Sequence, residues 1–405
     1  MDRIILHCDC NSFFASVETA LNPEYKNVPM AVCGSEENRH GIVLAKNELA
    51  KKYGIQTAET VHSARKKCPN LVIASPHYEQ YSLYSKRVNE IYREYTELVE
   101  SFGIDESWLD VTASQRIFGS GEEIAESIRN RIKNEIGITV SIGVSFNKAF
   151  AKLGSDYKKP DAVTVISREN FTDIVYPLPV SDLLFVGKRT AKELSRIGVR
   201  TIGDLAMLDL DVLENKFGKQ GCMLYEYSRG LDSSPVLPTG FKDGVKSISN
   251  GLTFKQDLVN NEQCRTGIVF LCCEIGFKLR SRGLKCNTVA LTIKDVYLKS
   301  IQRQRRLKAP SDIEDEISEA AFGLLCDTWP DKKPIRMLTV SVTGLSDADC
   351  SSEQLDIFDN NSEERRKKSR NREEAVDKLR QKFGSSALVR ASFIGEDIGI
   401  STDDN

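Results

Sequence analysis

The chain has 405 residues, of which 40% are hydrophobic and 28% are charged, a composition typical of an ordinary globular protein. This length is more than one hydrophobic core usually serves, so about three domains are expected. The formal net charge of −2 excludes nucleic-acid binding driven by the charge of the whole chain, and any basic surface must be local.

Apolar runs and cysteines indicate the cellular context. The first apolar run, residues 4–6, is too short for a signal peptide, and the longest later run, residues 268–273, ends at Glu274. The 11 cysteines form no CxxC pair and no cluster with zinc-binding spacing, and their odd number indicates reduced thiols. We therefore expect a cytoplasmic protein without a membrane segment.

Strands and helices are both predicted in the first 166 residues. Residues 3–10 (RIILHCDC) and 139–145 (TVSIGVS) predict strands, and a helical pattern follows the first strand through Val17 and Glu18. Further helices are predicted at 41–53, 79–97 and around 121–135. This mixture indicates an α+β or α/β sheet domain.

The pattern changes to short helices separated by glycine over residues 177–235. Glycine turns at 186–188 and 197–199 are typical of a helix-hairpin-helix, in which Gly187 allows a phosphate to approach the backbone and Lys188 adds positive charge. A plain αα-hairpin without a nucleic-acid role is the alternative for this segment taken alone.

Residues 236–245 predict a linker, and residues 246–308 are basic, with 13 Lys or Arg against 4 Asp or Glu. The charge falls on a predicted helix, 266–283, and on a predicted strand, 288–308. A basic patch on a sheet fits binding to a nucleic-acid backbone, although a solvated charged face is the alternative. Strands resume at 335–345 and complete this domain.

Two adjacent acids interrupt an otherwise apolar run in GIDESWLDVT, residues 103–112. Asp105 and Glu106 would repel each other in an apolar setting, and a divalent metal would offset that repulsion. Asp9, at the end of the first strand, is a third carboxylate, and Mg²⁺ prefers oxygen ligands of this kind. A turn with both acids in solvent is the alternative. Asp110, farther along the strand, is predicted to be structural or solvent-facing and not a metal ligand.

Four segments in order resemble the Y-family DNA polymerases, specifically the DinB or polymerase IV branch. They are DCNSFFASVE at 9–18, GIVLAKNELAKKYGI at 41–55, GIDESWLDVT at 103–112 and VSIGVSFNKAFAKLGSDYKKPD at 140–161. The predicted helix-hairpin-helix falls where that family has its thumb, and the basic segment falls where it has its little finger. The resemblance covers residues 1 to about 345.

The resemblance implies two-metal phosphoryl transfer to a primer 3′ end. Asp9, Asp105 and Glu106 would be catalytic and would hold two Mg²⁺ ions, with the backbone carbonyl of Cys10 as a further ligand. One ion would lower the pKa of the 3′-hydroxyl, and the other would hold the triphosphate. Lys159 would meet the triphosphate, and the backbone N–H groups from residue 11 to Phe13 would also receive phosphate.

Further roles follow from the same resemblance. Phe14 matches the steric gate that selects dNTP over rNTP. Gly41 and Ile42 match the residues that roof the nascent base pair. Lys51 matches a triphosphate contact, but Ala45 and Glu48 depart from the Thr and Tyr of many relatives, and Glu48 is expected to pair with a neighbouring lysine.

A clamp-binding peptide is predicted after the little finger. The segment EQLDIF at 353–358 resembles the bacterial sliding-clamp-binding motif, in which Gln354 would form hydrogen bonds and Leu355, Ile357 and Phe358 would fill an apolar pocket. The mixed-charge segment that follows predicts a helix with Ala375, Val376, Leu379 and Phe383 at helical spacing, and ALVRASFIGED at 387–397 predicts a short strand. A solvated tail is the alternative.

The resemblance implies an α+β multidomain fold of the right-hand polymerase type. It has a palm with a mixed sheet, small fingers, a helix-hairpin-helix thumb and an α/β little finger. The expected boundaries are palm 1–19 and 78–166, fingers 20–77, thumb 167–235, linker 236–245, little finger 246–346 and, at 347–405, a linker with the clamp peptide and a charged tail.

The expected activity is low-fidelity, low-processivity translesion synthesis in DNA repair by a monomer. A small fingers segment cannot close tightly on a base pair, so geometric checking should be weak. The expected partners are primer–template DNA, dNTP and the bacterial sliding clamp, with no membrane. A catalytically weak family member that serves as a scaffold at stalled forks is one alternative, and a two-metal nuclease is another.

Overall fold

The computed structural model describes residues 2–35, 39, 41–241, 244–329, 333–348, 360–393 and 398–400. The chain forms two compact units. Unit 1 comprises Met1–Gly34 and Ile42–Phe241, and unit 2 comprises Ser35–Gly41 and Lys242–Asn405. No helix within the described ranges is both long and apolar enough to cross a bilayer.

The strands are β1 Ile5–Cys10, β2 Met30–Cys33, β3 Val43–Lys46, β4 Val72–Ala74, β5 Val99–Ser101, β6 Glu106–Asp110, β7 Val140–Ser145, β8 Val163–Ile166, β9 Ser247–Leu258, β10 Leu284–Asp295, β11 Ser300–Ser311, β12 Ile335–Thr343 and β13 Ser346–Asp347. The α-helices are α1 Phe13–Leu21, α2 Glu48–Lys52, α3 Val61–Lys67, α4 Tyr78–Tyr95, α5 Gln115–Phe118, α6 Gly121–Arg131, α7 Lys148–Tyr157, α8 Phe171–Val175, α9 Lys188–Arg196, α10 Ile202–Ala206, α11 Leu210–Phe217, α12 Lys219–Ser228, α13 Asn261–Arg280, α14 Glu314–Thr328 and α15 Asn360–Phe383.

The main sheet of unit 1 has the order β5-β6-β1-β7-β8, with β1 at its centre. Strand β1 pairs antiparallel with both β6 and β7, and all six of its residues are buried. Helices α4 and α6 contribute their apolar faces to the same core, which includes the tyrosines at helical spacing on α4. The first predicted strand and the long tyrosine-rich helix are therefore confirmed.

A second, three-stranded sheet of unit 1 has the order β3-β2-β4 and lies within residues 20–77. The prediction of a single helix over 41–53 is wrong. Residues 43–46 pair antiparallel with β2, and the helix α2 begins only after Asn47, whose side chain accepts a hydrogen bond from the N–H of Ala50. Val43 is fully buried in the small core of this sheet, and this packing outweighs the helical pattern.

Short helices, α8 to α12, follow in unit 1 and surround their own core. Gly187 is the residue before α9, and a side chain at this position would meet nothing within 4 Å. Gly198, after α9, has a φ of +87°, a conformation that L side chains rarely adopt, so glycine is required for the turn. The short helices and glycine turns predicted for 177–235 are confirmed.

Unit 2 contains the antiparallel sheet β11-β10-β12-β9. Its core residues alternate along β12 and pack with α13 and α14. The other face is partly exposed and is formed largely by small polar residues, including Ser249, Thr292, Thr339 and Ser341. Hydroxyl groups on such a face suit hydrogen bonds to phosphate and sugar.

The basic segment 288–308, predicted as a strand, is a hairpin of two strands. The carboxylate of Asp295 accepts hydrogen bonds from the N–H groups of Tyr297 and Lys299, at 2.9 and 2.8 Å, and so holds the turn. Arg305 lies opposite the core residue Val289 and forms an ion pair with Asp327 of α14. The positive charge is therefore divided between the two faces of the sheet.

The charged C-terminal segment forms the helix α15, as its spacing predicts. The strand predicted at 387–397 is not found in its described part, because Ala391–Phe393 is a turn of 3₁₀ helix. The predicted clamp-binding residues, Gln354 to Phe358, lie outside the described residues.

Candidate active site

Two of the predicted carboxylates lie side by side at one end of the main sheet. Asp9 in β1 is the register partner of Glu106 in β6. The N–H of Cys10 donates to the carbonyl of Asp105 at 3.0 Å, so Asp105 continues the pairing just before β6 begins. Antiparallel pairing thus brings together acids that are almost a hundred residues apart in the sequence.

Close packing of α7 on the sheet brings lysines to these acids. A side chain at Gly143 in β7 would lie 1.9 Å from the carbonyl oxygen of Ala151, so only glycine permits this approach. Gly154 lies opposite on the helix side, where an added Cβ would lie 2.9 Å from the Cα of Gly143. Asn147 caps the N-terminus of α7 through the N–H of Phe150.

Lys152 and Lys159 contact the carboxylates directly. The ammonium nitrogen of Lys152 lies 3.0 Å from Asp9 Oδ2 and 3.0 Å from Glu106 Oε2. The ammonium of Lys159 lies 2.7 Å from the same Asp9 oxygen and 2.7 Å from Asp156 Oδ1. These cations share a small, largely buried space with the acids, where ion pairs are stronger than at a surface.

The acids of this site differ in how readily they ionise. Burial, together with repulsion from Asp9 and Glu106, raises the pKa of Asp105 to about 6. Burial acts in the same direction on Glu106, but His7, whose Nε2 lies 3.4 Å from Glu106 Oε2, and the charge of Lys152 outweigh it and hold the pKa of Glu106 below its ordinary value. Burial acts to lower the pKa of Lys152, but the surrounding carboxylates outweigh it and raise that pKa.

The arrangement fits a divalent cation. Among the described residues, His7, Asp9 and Glu106 bring ligand atoms within 4.8 Å of one another. His7 Nδ1 lies 2.8 Å from the hydroxyl oxygen of Ser155, so this ring nitrogen already has a partner within the protein. The hard oxygen ligands for a divalent cation are the carboxylates. Burial and the neighbouring carboxylates raise the pKa of Asp105, and a cation bound beside it would oppose that rise.

The aromatic residues after β1 form a stack at the start of α1. The rings of Phe14 and Tyr81 lie 4.1 Å apart with an interplanar angle of 11°, and Tyr78 packs edge-on against both. Phe13 is buried in the core, whereas Phe14 is half-buried. The hydroxyl of Tyr81 donates to the buried carboxylate of Glu18, which fixes the ring beneath Phe14.

Lys51 lies on α2 and does not take part in the described contacts of the carboxylates. Its ammonium is 3.7 Å from Glu48 Oε2, the pairing expected from their spacing. Burial and, after it, the charge of Lys51 lower the pKa of Lys46, which lies on β3. Strand β3 and helix α2 therefore present two neighbouring lysines.

The remaining predicted residues are exposed or at turns. The side chain of Ile42 is 40% exposed, and its backbone bridges to Thr60. Gly41 precedes it. Lys188 is exposed at the first position of α9, directly after Gly187.

The sequence patterns did not single out Lys152 or His7, both of which lie beside Glu106 in the folded chain. Lys152 and Asp156 are four residues apart on one helix, a spacing that indicates a shared face with access to Lys159. His7 is two residues before Asp9 in a strand, so both side chains lie on one face. Asp110 is structural as predicted, because its carboxylate accepts a hydrogen bond from the N–H of Thr112 at 3.0 Å.

Three family models match the chain. Residues 8–156 match the impB/mucB/samB family, residues 245–357 match the C-terminal domain of that family, and residues 181–232 match the thumb domain of DNA polymerase iota. Helix α15 begins after the last matched residue.

Curated relatives match along almost the whole chain. A DNA polymerase IV from Acetivibrio thermocellus is 46% identical over 99% of this chain and 100% of its own length. DNA polymerase IV 2 from Bacillus subtilis is 35% identical over 96% of this chain and 94% of its own length. The fold matches a solved Y-family DNA polymerase chimera with a TM-score of 0.75 at 23% identity, over 84% of this chain and 98% of that one.

The matched models, the identity and the α+β fold with its separate antiparallel sheet agree with one another. The resemblance predicted from the four sequence segments is thereby confirmed. The chain belongs to the Y family of DNA polymerases, in the DNA polymerase IV branch.

Proposed function

We propose that this chain, a DNA-directed DNA polymerase by its family, adds dNTPs to a primer 3′ end at Asp9, Asp105 and Glu106. Its biological role is low-fidelity, low-processivity translesion synthesis in DNA repair. The pairing of Asp9 with Glu106 across β1 and β6, beside Lys152 and Lys159, is the observation that carries this proposal. Buried acids and cations in one cleft are the elements that phosphoryl transfer needs.

The carboxylates of Asp9, Asp105 and Glu106, with the carbonyl of Cys10, would hold two Mg²⁺ ions. When bound, these ions activate the primer 3′-hydroxyl and neutralise charge on the triphosphate. Lys159 then exchanges its contact with Asp9 for one with the triphosphate, because a lysine on a flexible stem can move between two anions.

The incoming nucleotide is bound from several sides. The N–H groups up to Phe13, at the start of α1, receive phosphate oxygens. Lys51 contributes positive charge from α2, and its neighbour Lys46 adds a second positive charge beside the positions where Ala45 and Glu48 depart from the Thr and Tyr of many relatives. Gly41 and Ile42 roof the nascent base pair.

Phe14 selects the sugar. A ring that lies against the C2′ position excludes a 2′-hydroxyl only if the ring is held in place, and the stack on Tyr81 provides this support. Phe14→Ala should raise rNTP incorporation relative to dNTP by at least about tenfold, whereas Tyr81→Leu should raise it by a smaller factor.

The domain roles follow the family plan. The palm comprises 1–19 and 78–166, the fingers 20–77, the thumb 167–235 and the little finger 246–346. Gly187 and Lys188 contact a DNA phosphate from the thumb, supported by the open space around Gly187. The fingers contain only short elements, which supports tolerance of damaged templates.

Recruitment to the primer end depends on the segment that contains Gln354, Leu355, Ile357 and Phe358. This segment binds the bacterial sliding clamp and so keeps the enzyme near the primer end. The enzyme acts as a monomer in the cytoplasm. Deletion of 354–358 should abolish stimulation by the clamp and leave unstimulated synthesis unchanged. Equal loss of both activities would refute this assignment.

Templated primer extension with Mg²⁺ and dNTPs tests the catalytic proposal. The wild-type protein should extend the primer, and Glu106→Ala should lose more than about a hundredfold in rate, because one of the carboxylates that would hold the Mg²⁺ ions is removed. Asp110→Asn, four residues along the same strand, is the matched control and should remain close to wild type. Degradation of the primer by the wild type would indicate a nuclease, and absence of both reactions would indicate a scaffold.

A further inference from the structure

Helix α15 is fixed to unit 2 by arginines on its inner face. Arg366 lies 2.8 Å from Glu316, and Arg370 lies 3.1 Å from Asp312, an acid that is almost completely buried. Arg372 lies 2.9 Å from Asp315. Guanidinium groups form directed pairs with carboxylates, so these contacts define how the helix is rotated.

The same inner face also carries acids of α15. Glu373 and Asp377 are both buried, and they contact the guanidinium of Arg280 at 2.6 and 2.7 Å. Glu374 pairs with Arg370 within the helix, at 3.4 Å. The negative charge of this part of α15 is therefore directed inward or neutralised.

Lysines occupy the outer face of the helix. Lys367, Lys368, Lys378 and Lys382 are exposed, and helical geometry places them within an arc of roughly 100° over about 22 Å. No ion pair links any of the four to another residue within the described ranges. By the same geometry Glu364, the one exposed acid among residues 364–383, lies within this arc at the N-terminal end of the helix, and Arg365 is exposed roughly 60° outside it. The outer face is thus strongly basic on a chain whose net charge is −2.

We propose that this outer lysine face of α15 binds the phosphate backbone of double-stranded DNA. Lysine is a hydrated point charge that suits backbone contacts without sequence preference, whereas Arg366, Arg370 and Arg372 are already paired with acids of unit 2. A row of cations of this length can meet several phosphates on one strand. The surface lies beyond the segments matched by the family models, and it shares no residue with the candidate metal site or with the predicted clamp peptide.

The test compares two quadruple variants at positions 367, 368, 378 and 382. Replacement of the four lysines by glutamine removes the charge, and replacement by arginine retains it. Binding of a labelled blunt duplex is measured by fluorescence anisotropy over a range of salt concentrations. Each lost phosphate contact should reduce the slope of log K against log salt by about 0.9, so the glutamine variant should lose about 2 to 4 in slope.

The arginine variant should keep the wild-type slope. A glutamine variant with the wild-type slope would overturn the proposal, as would an arginine variant that loses as much slope as the glutamine variant. Thermal unfolding verifies that the variants are folded. If the quadruple glutamine variant fails to fold, the two double variants, 367 with 368 and 378 with 382, should each show part of the change. Primer extension at saturating primer–template should be unaffected, which separates this surface from the catalytic proposal.

Discussion

Each unit of this protein contains a buried cluster of charges, but the two clusters use different cations. In unit 1, the ammonium of Lys152 lies between Asp9 and Glu106, at 3.0 Å from each. An ammonium on a flexible stem makes no fixed pair geometry and can give way to another cation. Lys152 therefore does not neutralise the negative charges of Asp9 and Glu106 permanently.

In unit 2, the guanidinium of Arg280 is 5% exposed and forms ion pairs with Glu314, Glu373 and Asp377. Burial, followed by repulsion from Glu314, raises the pKa of Glu373 to about 7, and Arg280 opposes this rise. A planar guanidinium meets several carboxylates at once in fixed directions. This cluster joins α13, α14 and α15 and serves structure, whereas the lysine cluster is suited to exchange its partners during a reaction.

The largest expected effect is on the stability of unit 2. Arg280→Met leaves three buried acids without their shared cation and should reduce the free energy of unfolding by about 3–5 kcal/mol. The chain has two tryptophans, Trp108 in unit 1 and Trp329 in unit 2, so a Trp108→Phe background lets fluorescence follow urea unfolding of unit 2. The control Arg305→Met breaks an exposed pair and should cost less than about 1 kcal/mol. Equal losses would contradict the structural role of the Arg280 cluster.

A smaller loss should follow from Arg280→Lys in the same background. The charge is retained, but one ammonium cannot contact three carboxylates in the directions that the guanidinium provides. We expect about 1–2 kcal/mol of destabilisation, between those of Arg305→Met and Arg280→Met. If lysine serves as well as arginine here, the distinction between the two clusters does not hold.

Asp105→Asn should stabilise unit 1 in buffer without divalent cations. The pKa of Asp105 is raised to about 6 in the folded state, from 3.8, so the folded protein binds this proton more tightly and loses stability as pH rises from about 4 to 6. At pH 8 the variant should gain about 1–2 kcal/mol, a figure reduced for partial solvent screening, while losing primer extension. Urea unfolding in a Trp329→Phe background measures the gain. It should vanish near pH 4, and a gain independent of pH would contradict the assignment.

The smallest effect is expected at the exposed cation Lys51. Its pair with Glu48 is largely in solvent, so Lys51→Ala should raise the Michaelis constant for dNTP by about two- to fivefold with little effect on stability. Lys52→Ala makes the same charge change one residue along α2 and should leave that constant unchanged. Steady-state primer extension decides between them, and an unchanged constant in Lys51→Ala would remove Lys51 from the nucleotide site.

Local sequence identified the family and predicted the residues of the candidate site. Asp9, Asp105, Glu106, Phe14 and Lys159 stand in segments whose order is specific, and neighbouring strands supply the acids. The prediction of a helix over 41–53 was wrong because Val43 lies in a strand that pairs with β2. Local sequence carries no information about this contact with a distant segment. The hairpin at 295–299 was missed because its turn depends on the Asp295 carboxylate.

The sequence by itself determined the set of chemical groups and their order along the chain. These groups are the acids at the ends of the apolar strands β1 and β6, an aromatic ring after β1, and a lysine-rich segment after β7. Only the tertiary structure decided which cations meet those acids. Lys152 reaches them because Gly143 and Gly154 let α7 approach β7, and α15 separates its arginines from its lysines because acids of unit 2 lie beneath one face. Spatial proximity depends on how distant segments pack, and a side chain's neighbours in sequence carry little information about it.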